Sequence, residues 1–144
     1  MELYKVIKEE FKDIAKKYTL AIKELSDNET VVYSNDYIVS FEMHSSELDL
    51  SYIERTEEGR QLQYYNFGSF IAYLTEPDTR NEVNMMELSS LEKQIKIYQT
   101  TLKNKFVDLL ENNKLWMEEY KKFILYAPPR DITEIKKIYE KLNV

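Results

Sequence analysis

The sequence predicts an α+β fold: an N-terminal helix, an antiparallel β-meander of three to five strands, and three C-terminal helices packed on one face of the sheet. Three observations carry the prediction. Apolar residues recur every three or four positions over residues 1–18. β-Branched and aromatic residues alternate between turn signals from Thr30 onward. Helical spacing returns from Ser89 to the end. Strands in one run followed by helices in another give segregated layers. The chain is expected to form one domain, with residues 1–18 helical, 19–74 a meander, 75–88 a loop and 89–144 helical.

In the first segment Leu3, Ile7, Phe11, Ile14 and Tyr18 fall on one stripe with Val6 beside it, while Lys5, Lys8, Glu9, Lys12 and Lys16 face outward. Residues 19–24 alternate over too short a span to separate a strand from an extension of this helix. Ser26-Asp27-Asn28-Glu29 is a turn. TVVY and DYIVSFEM then flank Ser34-Asn35-Asp36, a hairpin signature built from residues that suit a pleated surface. Tyr37, Val39, Phe41 and Met43 alternate onto one face, and Ile38, Ser40, Glu42 and His44 onto a mostly polar one. LDLSYIER repeats the pattern, with Leu48, Leu50 and Tyr52 inward and Asp49, Ser51 and Arg55 outward. His44 is therefore expected at a strand end beside the turn His44-Ser45-Ser46-Glu47. TEEGR makes a further turn around Gly59, and QLQYYNF begins another strand.

Residues 75–86 lose periodicity and carry Pro77, which reads as a loop. Ser89 and Glu92 have capping-box spacing, so a helix starts there. Leu91, Ile95, Tyr98, Leu102, Phe106 and Leu109 form a stripe of about six turns. Asn112-Asn113 interrupts it. Leu115, Trp116, Tyr120 and Phe123 or Ile124 mark a shorter helix ended by Ala127-Pro128-Pro129. Asp131 with Glu134 caps a final helix bearing Ile132, Ile135, Ile138, Tyr139 and Leu142.

The chain has 144 residues and a net charge of −6, unevenly spread. Residues 1–18 carry five Lys against four acids, residues 19–88 four Lys or Arg against fourteen, and residues 89–144 eleven against eight: +1, −10 and +3. The middle segment repels phosphate backbones, so nucleic acid is not an expected partner. The absence of cysteine removes thiolate chemistry, disulfides and Cys-ligated metals, and fits a reducing, cytoplasmic location. No apolar run is long enough for a membrane span, and the charged N-terminal stretch does not read as a secretory signal.

One histidine cannot build a His-rich metal site, although Glu42, Glu47 and Asp49 crowd around it. Glu42 stands two residues away on the same strand face, where it could orient an imidazole base. A solvated turn explains the group without chemistry. EF-hand spacing is absent, and the two glycines, Gly59 and Gly68, belong to no phosphate-binding loop. No enzyme activity, cofactor or metal is expected. Twelve tyrosines are more than a small core needs, and tyrosine is enriched in interfaces. The expected partner is a protein with a basic surface, met by Glu42, Glu47, Asp49, Glu54, Tyr64 and Tyr65.

A helix, a meander and C-terminal helices in a small, acidic, cysteine-free chain resemble the layout of bacterial immunity and antitoxin-type inhibitors. That likeness implies inhibition of a basic partner such as a nuclease toxin. The rival expectations are a small-molecule-binding domain with a pocket between sheet and helices, and a self-associating structural subunit.

Overall fold

The computed structural model describes residues 2–55, 63–123, 138 and 140–142, with backbone alone for 63–66. Its elements run α1 (Glu2–Glu10), α2 (Lys12–Tyr18), β1 (Ala21–Ser26), β2 (Glu29–Tyr33), β3 (Tyr37–His44), β4 (Glu47–Glu54), β5 (Gln63–Asn66), α3 (Gly68–Leu74), α4 (Pro77–Asn84), α5 (Ser90–Lys105), α6 (Val107–Leu110) and α7 (Leu115–Lys122). The fold is α+β, and the strands form one antiparallel sheet in sequence order, β1-β2-β3-β4-β5.

The N-terminal stripe is buried as its spacing predicts: Leu3, Ile7, Phe11 and Ile14 are each within a few per cent of full burial. The helix is dented at Phe11, yet Phe11 N still donates to Ile7 O at 2.9 Å and Phe11 O accepts from Ala15 N at 2.8 Å, so α1 and α2 stay nearly continuous. It stops at Thr19, whose φ of 56° is left-handed. The next amide, of Leu20, returns to Ala15 O at 2.8 Å, which closes the helix end. Residues 21–26 then pair with β2, so the alternation there is a strand.

Every strand residue has one of two faces. Ile22, Val32, Val39 and Tyr52 form one cross-strand row, and Phe41 with Leu50 and Met43 with Leu48 continue the same face. Against this face α1, α2, α3, α5, α6 and α7 pack their apolar residues, with Ile95, Leu102, Phe106, Leu109, Trp116 and Tyr120 at the centre. Phe67 is fully buried among Tyr52, Phe106 and Trp116 at ring separations of 5.7 to 6.4 Å, an edge-on and tilted arrangement that aromatic quadrupoles favour. The Tyr37 hydroxyl donates to Leu110 O at 3.0 Å and ties the sheet to the end of α6.

The opposite face is less polar than the sequence suggests. Val31, Ile38, Ser40, Ser51 and Ile53 are all buried there. Ile138 and Leu142, both helical, pack on Val31, Ile38 and Ile53, so the sheet has a second, smaller apolar contact on this side. Lys23 Nζ donates to Lys141 O at 2.7 Å beside it.

Other expectations also need correction. Residues 77–84, taken as loop, form α4. Pro77 sits at the first helical position, where its missing N–H costs nothing, and Glu76 before it is extended. Residues 68–74, inside the expected meander, form α3, in which Phe70, Ile71 and Leu74, with Phe67 at the N-cap, keep helical spacing toward the core. The long C-terminal stripe is divided at Phe106 (φ −124°, ψ 34°) into α5 and α6. The capping box is present: Ser89 Oγ accepts from Glu92 N at 3.2 Å, and Glu92 Oε1 from Ser89 N at 3.3 Å. The helix expected to run to Ala127-Pro128-Pro129 ends earlier, at Lys122, with Phe123 extended (φ −70°, ψ 136°); the Gly59 turn, the prolines themselves and the Asp131 cap lie outside the described residues.

Candidate functional site

The β3–β4 hairpin turns through Ser45 and Ser46, with Ser45 left-handed at φ 57° and His44 facing Glu47 across the closing pair. Two registers further along lies Glu42 opposite Asp49, and on the other side Glu42 is opposite Glu29 of β2. Three carboxylates therefore stand in one row across three neighbouring strands, on the face away from the main core. Neighbouring strands lie about 4.8 Å apart.

His44 is inserted into this row. Its Nε2 contacts Glu42 Oε1 and lies 3.4 Å from Asp49 Oδ2, with all three side chains about half exposed. Glu29 Oε2 is held by Ser40 Oγ at 2.9 Å. Asp27, in the β1–β2 turn, adds a further acid at the same end, where Asn28 O accepts from Met43 N at 2.8 Å and docks the two turns together. Asp49 also acts across the sheet: burial pushes the Tyr98 hydroxyl above its ordinary pKa, and the Asp49 carboxylate adds to that shift. Among the described residues, no group of three or more His, Asp or Glu side chains is arranged to hold a metal ion.

Of the residues expected to form the partner surface, Glu42, Glu47 and Asp49 are brought together. Glu54 is not. It occupies the other end of β4, on the core-side face, and its carboxylate is paired with Lys114 ahead of α7. In the β4–β5 pairing Tyr64 is in register with Ile53 and Tyr65 with Tyr52. The tyrosine excess also serves the core: Tyr37, Tyr52 and Tyr120 are each 1% exposed. Tyr73, at 70%, is the clearly exposed one among the tyrosines whose side chains are described.

A second feature was not anticipated. A groove of about 770 Å³ opens between α3 and α7, lined by Phe70, Tyr73, Leu74, Glu119, Lys122 and Phe123. A smaller hollow of about 240 Å³ adjoins it, sharing Phe70, Leu74 and Glu119 and adding Phe106, Leu115 and Trp116. Phe123 lies 5.1 Å from Tyr73 and 5.4 Å from Phe70, ring to ring, so the groove floor is aromatic. No sequence pattern joins these residues, because α3 and α7 are some forty positions apart.

No protein-family model matches the chain, and comparison with curated proteins and with solved structures gave no match. Among the described residues no helix is long and apolar enough to cross a membrane.

Proposed function

We propose that the chain is a non-catalytic binding protein that engages a basic protein surface through the carboxylate end of β2, β3 and β4. The row Glu29, Glu42 and Asp49, extended by Glu47 at the turn, is the observation that supports this reading. Like charges directly opposite one another across strands destabilise a sheet, by roughly 0.2–1 kcal/mol per pair. A sheet selected for stability alone would place a Lys or Thr in the middle of such a row, whereas here the one relief comes from the rim, where His44 Nε2 contacts Glu42 and lies 3.4 Å from Asp49. Charge concentrated on one exposed end instead raises the rate of encounter with a positive surface and repels phosphate backbones. Inhibition of a basic enzyme, such as a nuclease toxin in the same cytoplasm, is the role this chemistry suits best.

Two variants separate this reading from a merely solvated turn. Glu42→Gln with Asp49→Asn removes the cross-strand repulsion without changing shape, so the melting temperature is expected to hold or rise. Reversal of Glu42, Glu47 and Asp49 to Lys is expected to slow association with a basic partner recovered from the native host, and to abolish the salt dependence of that rate. Glu111→Lys, at an exposed position outside the cluster, serves as the control. Equal association rates for the triple reversal and the wild type would remove the reading. So would a clear loss of stability on neutralisation, since the row would then be a structural network.

A further inference from the structure

The carboxylate row holds one group of a type that changes charge near neutral pH. Histidine is the side chain that ordinarily takes up a proton between about pH 8 and pH 5, and this chain has one histidine and no cysteine. The fold places that imidazole inside the row. Its Nε2 contacts Glu42 Oε1 on its own strand and lies 3.4 Å from Asp49 Oδ2 on β4, while Glu47 stands opposite it in the closing pair of the hairpin. The β1–β2 turn, docked through the bond from Met43 N to Asn28 O, brings Asp27 to the same end. On the other side of Asp49 the Tyr98 hydroxyl of α5 is held neutral by burial first and then by that carboxylate, with the Arg80 guanidinium pulling the other way. The charged groups that face the imidazole are thus acids. Among the described residues no Lys or Arg is paired with Glu42, Glu47 or Asp49.

We propose that His44 makes the carboxylate row a pH sensor, which attracts a basic partner fully while the imidazole is neutral and less once it is protonated. The inference rests on the row being the docking surface of the proposed function, and it adds how that surface is regulated. With the imidazole neutral, Glu29, Glu42, Glu47 and Asp49 present negative charge alone on one face of the sheet. Protonation sets a positive charge among them. Nε2–H then donates to the Glu42 carboxylate, and the imidazolium meets any Lys or Arg that approaches Glu42 or Asp49, so attraction falls and repulsion appears together. His44 is 59% exposed, so it exchanges its proton with solvent, and a partner that covers Glu42 and Asp49 covers it as well. Ion pairs this exposed add little to the stability of a fold, so the change is felt in the surface potential more than in the hairpin.

The probe is N-acetylated octalysine carrying a rhodamine label, whose lysines keep their charge between about pH 5.5 and 8. Fluorescence anisotropy at low salt reads its affinity for the full chain. The wild type is expected to bind it about threefold more tightly at the upper pH than at the lower. His44→Gln is expected to bind equally at both, with the wild type's high-pH affinity, and His44→Lys to bind weakly at both. A wild type without this pH dependence, the same dependence in His44→Gln, or a His44→Lys variant as tight as His44→Gln overturns the proposal. The docking surface is read separately, at the upper pH, from the reversal of Glu42, Glu47 and Asp49 to Lys. Loss of binding there keeps the row as the docking surface even where the pH sensor has failed. Binding that survives the reversal, or no binding of octalysine to the wild type at either pH, removes the docking surface and the sensor with it.

Discussion

Replacing Tyr37 by Phe removes one oxygen from the centre of the fold and nothing else. The hydroxyl is buried, donates to Leu110 O at 3.0 Å, and leaves the stack with Tyr52 at 5.8 Å untouched when it goes. The net loss of such a bond, with a carbonyl left unpaired, is about 1 kcal/mol at pH 7. That corresponds to a fall of roughly 2–4 °C in melting temperature for a chain of this length. Alkali reverses the comparison. Burial above all, reinforced by Asp36 and Tyr18, holds the Tyr37 pKa far above its ordinary value. The unfolded chain therefore releases this proton near pH 10 while the folded chain keeps it. The stabilising effect is complete below pH 10 and is lost as pH rises, by about 1.4 kcal/mol per pH unit. The wild-type advantage is then used up within one unit, so the two stability curves are expected to cross near pH 11. Urea unfolding followed by circular dichroism from pH 7 to 11.5 checks this. Parallel curves, or a variant as stable as the wild type at pH 7, refute the claim that this hydroxyl joins the sheet to α6.

Thr19→Gly relieves a β-branched residue from left-handed backbone, a conformation costing roughly 1–2 kcal/mol, against a loss of about 0.5–1 kcal/mol in chain entropy. Thermal unfolding is expected to show a net gain of about 0.5–1 kcal/mol, and a loss would mean that the Thr19 side chain does more than strain the turn. Ser89→Ala removes the Oγ that accepts from Glu92 N, leaves the backbone N–H to Glu92 Oε1 in place, and is expected to cost about 1 kcal/mol in urea unfolding. Phe67→Ala empties a site enclosed by Tyr52, Phe106 and Trp116, and is expected to cost roughly 3–5 kcal/mol, the largest of these effects.

What the sequence reveals depends on whether the signal is local. The stripe from Leu3 to Ile14, the alternation from Tyr37 to Tyr52 and the pairing of Ser89 with Glu92 each lie within one element, and each appears in the structure as spaced. Two helices were hidden for different reasons. In α4 one residue, Val83, is buried, so no stripe exists to read, and Pro77 looks like a breaker when it is a first residue. In α3 the spacing of Phe67, Phe70, Ile71 and Leu74 was legible, but it follows directly on the strand run QLQYYNF and is only seven residues long. Of the partner surface, Glu42, Glu47 and Asp49 were recoverable because one hairpin joins them. Glu54 has the same charge, but an odd number of residues beyond Asp49 turns it to the other face. The α3/α7 cleft depends on tertiary packing between distant segments, and nothing in either segment alone announces it.

Because the strands follow one another in order, each closes on its neighbour through a short connection wherever the connection is described. Little chain entropy is spent on bringing any one pair together. The expensive closures are elsewhere: Tyr37 to Leu110 spans 73 positions, Lys96 to Glu10 spans 86, and Lys23 to Lys141 spans 118. Such a division is expected to order the folding reaction in time, with the sheet assembling by successive local steps and the long-range closures, whose entropy is spent before their contacts reward it, setting the slowest step. The seam between helices and sheet, more than any strand pair, is then where the time needed to fold is decided.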